Sequence, residues 1–195
     1  MKKTNVYIDG FNLYYGIRKT PYRWLDPLQL CQRILHGRNI HRLRYFTARV
    51  KARGPDNSII RRQQTYLRAL QTLPNVEIHF GAFLVSRTRM KVASPHPGGP
   101  ATVEVIKTEE KGSDVNIASY LLLDAFRRDV ETAVIISNDS DLVTPIDLVR
   151  SEFGLDVIVL NPHKNPSAEL RRAATMVHQI RKGVLGSSQF PPQLT

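Results

Sequence analysis

Four aspartates stand where a parallel α/β sheet gathers its functional groups. Asp9 ends the apolar run Asn5-Val-Tyr-Ile8, and Asp139 and Asp141 follow the run Ala133-Val-Ile-Ile136 within Ser137-Asn-Asp-Ser-Asp141. Asp114 lies in Lys111-Gly-Ser-Asp114, just before an amphipathic helical stretch. Carboxylates brought together repel one another, and burial makes each charge costlier. A divalent cation relieves that cost, and hard oxygen ligands suit Mg²⁺ or Mn²⁺. With a formal charge of +11 and a pI near 10.1, an acidic metal site in so basic a chain points to chemistry on a phosphodiester backbone.

Each motif also has a plain reading. Gly10 after Asp9 lets the chain turn sharply out of a strand, and Asn12 can bring its amide to the carboxylates, or simply cap the first helix. Ser137-Asn-Asp-Ser-Asp141 can cap a helix, but one cap needs one side chain and five polar residues occur in succession. In Lys111-Gly-Ser-Asp114 either Ser113 or Asp114 can be a cap; otherwise Asp114 completes the acidic site and Lys111 meets a phosphate, helped by the helix dipole.

The elements that must position these groups alternate. Strands are expected at Val6–Asp9, His41–Val50, Val76–Phe80, Val134–Ile136 and Leu155–Leu160. Helices are expected at Asn12–Arg18, at Pro27–Leu35 with Asp26 as N-cap, at Ser58–Leu73 after a Gly54-Pro-Asp-Asn turn, at Asp114–Phe126 and Leu142–Glu152, and at Pro166–Ile180 capped by Ser167. Residues 82–108 break the rhythm: Phe83–Val92 and Thr102–Thr108 read as a hairpin-like insertion around the Pro- and Gly-rich stretch Ser94–Pro100. The domain is expected to span 1–182, with a disordered tail over 183–195. Buried strands separated by helices give a mostly parallel sheet, whose functional groups lie beyond the carboxyl ends of strands where strand order reverses. Asp9 and Asp139 both fit that position.

Composition narrows the function. No apolar stretch is long enough to span a bilayer, Met1-Lys-Lys-Thr-Asn5 does not open a secretion signal, and the single cysteine, Cys31, rules out an internal disulfide. A cytoplasmic location and no membrane partner are expected. Residues 1–92 hold 18 Lys+Arg against 4 Asp+Glu, a balance of +14, whereas the remainder holds 10 against 13, a balance of −3. The basic residues gather around Arg42, Arg44, Arg49, Lys51, Arg53, Arg61, Arg62 and Arg68, which suits an electrostatic track for nucleic acid, or a solvated basic surface. There is no Gly-x-x-x-x-Gly-Lys-Ser/Thr loop, no Gly-x-Gly-x-x-Gly fingerprint after the first strand, and no paired histidine spacing for zinc. His163, after the last expected strand, reads as a loop residue near the site edge. Tyr14, Tyr15 and Trp24 are candidates to stack a base.

Tyr7-Ile-Asp-Gly-Phe-Asn-Leu13, Lys111-Gly-Ser-Asp-Val115 and Ile136-Ser-Asn-Asp-Ser-Asp-Leu142 together resemble the NYN domain, a PIN-like nuclease domain, of the LabA/DUF88 type. Pro166-Ser-Ala-Glu-Leu170 resembles the family's last helix. The resemblance implies a Rossmann-like three-layer α/β/α sandwich with a mostly parallel central sheet and a divalent-metal ribonuclease site. It assigns Asp9, Asp114, Asp139 and Asp141 to the metal, with Asn12 as a further catalytic residue and Ser137 and Asn138 in support. Asn138 stands where the family commonly has Gly, and Asn tolerates the left-handed backbone such a turn could need. Arg49, Lys51, Arg53, Arg61, Arg62 and Lys111 would hold the phosphates of RNA or another single strand. A homodimer or a regulatory protein partner is compatible with this reading.

Two rivals share the sequence features. One is a non-catalytic RNA-binding or regulatory module of the same fold. The other is a haloacid-dehalogenase-like phosphatase, whose chemistry needs a second Asp two residues after the first; here that residue is Phe11.

Overall fold

The computed structural model describes residues 3–50 and 57–192. Six strands form a sheet in the order β3 (Val76–Phe80), β2 (Asn39–Thr47), β1 (Lys3–Asp9), β6 (Thr132–Ile136), β7 (Asp156–Asn161), β8 (Met176–Gln179). Every pairing in it is parallel. The chain runs outward from β1 through β2 and β3, returns to lay β6 beside β1, and runs outward again. Strand order therefore reverses between β1 and β6, and a crevice opens there at the carboxyl ends.

β1 and β6 are continuous apolar runs because helices cover both faces of the sheet. On one face Val6 and Ile8 pack with Leu13 of α1 (Gly10–Ile17), Leu30 of α2 (Pro27–Ile34) and Leu70 of α3 (Ser58–Gln71). On the other, Tyr7 and Ile135 pack with Ile117 and Leu121 of α4 (Ser113–Phe126), Ile146 of α5 (Val143–Phe153) and Leu170 of α6 (Ala168–Ala173). The result is an α/β/α sandwich. Asp26 caps α2 by accepting from Leu28 and Gln29, and Ser167 caps α6 by accepting from Leu170. The expected insertion is an antiparallel ribbon of β4 (Ala82–Lys91) and β5 (Thr102–Lys111), which among the described residues pair only with each other.

Two expectations are corrected. The helix read over 166–180 ends at Ala173. Thr175 then donates its N–H to Val157 O at 2.8 Å and accepts from Val157 N at 3.0 Å. That draws Met176–Gln179 onto the edge of β7, where it satisfies backbone groups that an open edge would leave unpaired. The tail read as disordered from Gly183 forms α7 (Lys182–Ser187) instead, with Leu185 and Phe190 buried. Phe190 donates its N–H to Trp24 O and sets its ring edge-on to Tyr66. Two apolar anchors hold down a segment whose average composition is polar. The Gly54 turn falls in 51–56, outside the described residues.

Candidate metal centre

Asp9 is both the last residue of β1 and the N-cap of α1. Its Oδ1 accepts from Asn12 N at 2.9 Å, and its Oδ2 accepts from the buried Ser137 hydroxyl at 3.1 Å. Gly10 is required for a reason different from the turn: a Cβ there would lie 2.7 Å from Phe46 O and from the Tyr45 ring. Ser137 follows β6, and its Oγ also accepts from Asp139 N at 3.1 Å. One hydroxyl thus ties the carboxylate of β1 to the loop after β6. Asp139 in turn caps the single 3₁₀ turn Ser140–Leu142 by accepting from Asp141 N at 3.0 Å. Capping and site-building are not alternatives here, since a carboxylate has about four lone-pair positions and the cap uses one of them, with Ser137 taking a second on Asp9.

Asp114 arrives from the opposite direction, at the start of α4. Neither it nor Ser113 is the cap; that position is Gly112, whose φ of 101° lies in the left-handed region that favours glycine. Ser113 is held instead by Glu110, through its N–H at 3.3 Å and its hydroxyl at 2.9 Å. Asp9, Asp114 and Asp139 each place a carboxylate oxygen within 4.8 Å of the other two. Burial pushes the Asp9 carboxyl up to about 6, and repulsion by Asp114 and Asp139 adds to this against the lowering effect of its Asn12 and Ser137 hydrogen bonds. Asp114 is raised by burial first, then by Asp139, Glu110 and Asp141. Among the described residues no Lys or Arg forms an ion pair with any of the three. A divalent ion with hard oxygen ligands fits this donor set.

Asp141 is exposed and stands outside the three-carboxylate set, close enough to act on Asp114. The side-chain oxygen of Asn12 accepts from Asn138 N at 3.0 Å and lies 2.9 Å from His163 Nε2, which also lies 3.1 Å from Asn12 O. Both Asn12 groups are acceptors, so Nε2 carries the hydrogen. His163 is itself fixed: its N–H donates to Asn161 Oδ1, and its carbonyl accepts from Asn161 and Gln179. Reading His163 as a mere loop residue therefore misses a link to Asn12, and its position just past a strand's carboxyl end is the available signal. Glu110, four residues ahead of Asp114, is missed as well. Asn138 does not use a left-handed backbone. Its side chain donates to Asn165 O at 3.0 Å and accepts from Ser167 N at 2.7 Å, joining the β6 loop to the start of α6.

The basic residues divide. Arg49 lies over the Phe80 ring at 4.5 Å, Arg61 and Arg62 are exposed near the start of α3, and the exposed Lys111 leans on Glu109 at 3.6 Å. Lys51 and Arg53 lie outside the described residues. Arg42 and Arg44, which charge alone assigns to a basic track, turn inward to Asp124 and Glu77.

The fold and the acidic cluster at its switch point define an α/β protein of PIN-like type. The chain belongs to the NYN domain family, whose model matches residues 3–181. It is 30% identical over 221 residues to 6-hydroxy-3-succinoylpyridine 3-monooxygenase HspA of Pseudomonas putida (strain DSM 28022 / S16), with 97% of this chain and 70% of that protein covered. A crystal structure of a protein of unknown function, VPA0982 from Vibrio parahaemolyticus RIMD 2210633, superposes with a TM-score of 0.62 at 17% identity, covering 93% of this chain and 94% of that one. That likeness is one of fold.

Proposed function

We propose that this chain is a metal-dependent ribonuclease that hydrolyses RNA phosphodiester bonds in a cytoplasmic setting. The observation that carries the reading is the approach of Asp9, Asp114 and Asp139 to within 4.8 Å of one another, with no basic side chain among the described residues paired to offset them. These three would hold Mg²⁺ or Mn²⁺, with Asp141 at the rim. When bound, the ion supplies a water activated near neutral pH and stabilises charge developing on the phosphate. Ser137 and the Asn12 N–H keep Asp9 oriented. His163 and Asn138 occupy the Asn12 carbonyl oxygen, so Asn12 has only its NH₂ donors to offer a phosphate oxygen. Arg49, Lys51, Arg53, Arg61, Arg62 and Lys111 would supply sequence-independent phosphate binding.

The likeness to HspA supports a second reading, an oxygenase of a pyridine substrate. The all-carboxylate donor set favours the hydrolytic one, because it lacks the histidine pair of a two-His, one-carboxylate iron site. The decisive assay follows labelled RNAs and DNAs with Mn²⁺ and with EDTA, beside Asp139→Asn. Cleavage should require Mn²⁺ and fall by roughly 10³-fold or more in the variant, as when a group essential to charge stabilisation is lost. Cleavage at the wild-type rate by Asp139→Asn would remove Asp139 from the site. RNA binding without cleavage would leave a non-catalytic module, and oxygen uptake with 6-hydroxy-3-succinoylpyridine and a reductant, without cleavage, would favour the oxygenase.

A further inference from the structure

The β4–β5 ribbon has two unlike faces. Residues directly opposite each other share a face, so Phe83 with Glu110, Val85 with Thr108, Arg87 with Ile106, Arg89 with Glu104 and Lys91 with Thr102 form one of them. The root of this face lies at the metal centre. Phe83 meets Phe11 of α1 edge-on with ring centres 5.6 Å apart, and Glu110 holds Ser113, next to Asp114. Further out come the exposed Val85 and Ile106, the latter 71% accessible, and then Arg87, Arg89 and Lys91. On the other face Lys107 and Lys111 share Glu109, at 2.8 and 3.6 Å, which offsets one of their two charges. Arg87 and Lys91 form no ion pair among the described residues, and Arg89 bonds Thr102 rather than the facing Glu104.

Alternate residues of a strand are about 6.8 Å apart at a rise of about 3.4 Å each, comparable with neighbouring phosphates along an extended single strand. Val85 and Ile106, between the cations and the root of the ribbon, offer an apolar surface to bases or riboses. Exposed aliphatic groups stand on both faces, Val85 and Ile106 on this one and Leu84, Met90 and Val103 on the other, so the run of Arg87, Arg89 and Lys91 is what singles this face out for a polyanion. A chain of charge +11 attracts a polyanion and repels a second copy.

We propose that this face of the ribbon is a track for the backbone of a single-stranded nucleic acid, leading it to the carboxylate cluster. The proposal rests on the nuclease reading for its purpose but is tested without catalysis. Binding of a fluorescent oligouridine of about 20 nucleotides to the full chain is followed in EDTA over a range of salt concentrations, for the wild type and for Arg87→Glu with Arg89→Glu. Both arginines are exposed, and circular dichroism reports whether the variant is folded. The variant should bind roughly tenfold or more weakly, with its salt slope reduced by about 1.4, near 0.7 for each phosphate that is no longer neutralised. Single Arg87→Gln and Arg89→Gln variants should each show about half that change in slope and serve if the double variant does not fold. Unchanged affinity and slope would overturn the track. So would a loss of dimers on sedimentation without a loss of affinity, since the ribbon would then be a protein interface. Hydrolysis of bis(p-nitrophenyl) phosphate by the wild type with Mn²⁺ probes the carboxylates alone, so failure of the nuclease reading is told apart from failure of the track.

Discussion

Helix α4 carries two carboxylates in opposite circumstances. Asp124, near its end, is wholly buried and fully partnered: it accepts from Asn5 Nδ2 at 3.1 Å, Tyr7 OH at 2.7 Å and Arg44 at 2.9 and 3.1 Å, with Arg42 at 3.6 Å. Arg44 also pairs with Glu77 and lies over the Tyr120 ring at 4.4 Å. Burial and the Asp124 charge push the Tyr7 hydroxyl well above its ordinary value. Asp114, at the start of the same helix, faces Asp139, Asp9, Glu110 and Asp141, with no cation among the described residues. A buried charge is tolerated when it is paired and hydrogen-bonded. The chain provides those partners at Asp124 and omits them at Asp114. The first carboxylate belongs to the architecture, and the second lies in a set of three that could hold a divalent ion.

The comparison is broken most severely by removing Asp124. Asp124→Ala leaves Arg44, 4% exposed, without its main partner, and breaking a buried pair in this way costs about 3–5 kcal/mol. Urea unfolding in EDTA should show that loss, while Asp114→Asn should show none, or a gain. A loss in Asp124→Ala under about 1 kcal/mol, the scale of an exposed pair, would mean that the network is incidental.

The contrast also marks what the sequence makes legible. Asp9, Asp114 and Asp139 could be placed together because each sits at the boundary of an element whose type follows from local pattern, and parallel sheets put such boundaries at one edge. The Asp124 network could not, because its partner Arg44 is 80 residues away. On sequence alone Arg42 and Arg44 count simply as positive charge. β8 is hidden for the same reason: nothing local in Met176–Gln179 outweighs the helical pattern before it, and the deciding bonds come from β7. α7 and Phe190 are held by a core that composition does not reveal. The hairpin is legible because its two strands and turn are consecutive.

A smaller effect separates the two carboxylate environments by pH. The Asp9 carboxyl lies at about 6 in the folded chain against an ordinary 3.8. Between these values the folded state binds more protons than the unfolded one, so stability falls as pH rises from about 4 to about 6, by up to roughly 3 kcal/mol. Asp9→Asn removes this penalty. In EDTA it should melt higher than the wild type at about pH 7.5 and lose most of that advantage by about pH 4.5. Mn²⁺ at the higher pH should raise the melting temperature of the wild type and scarcely that of the variant. A gap that is the same at both pH values would show that Asp9 carries no such burden.

The smallest expected effect concerns His163, which touches no carboxylate of the cluster and reaches it only through Asn12. A hydrogen bond contributes about 0.5–1.5 kcal/mol, so on the proposed ribonuclease reading His163→Ala should slow RNA cleavage by roughly 2- to 10-fold. If the loss comes from a misplaced Asn12 amide rather than from weaker substrate binding, it should fall on kcat and leave KM and Mn²⁺ affinity in place. His163→Gln, which keeps a donor on a side chain of similar reach, should recover part of the rate. The sharpest measurement is a double-variant cycle, because residues that act as a unit are not additive. In an Asn12→Ala background, His163→Ala should cost nothing further, since the group it positions is already gone. An additive loss would place His163 in direct contact with the substrate and make it a catalytic residue in its own right.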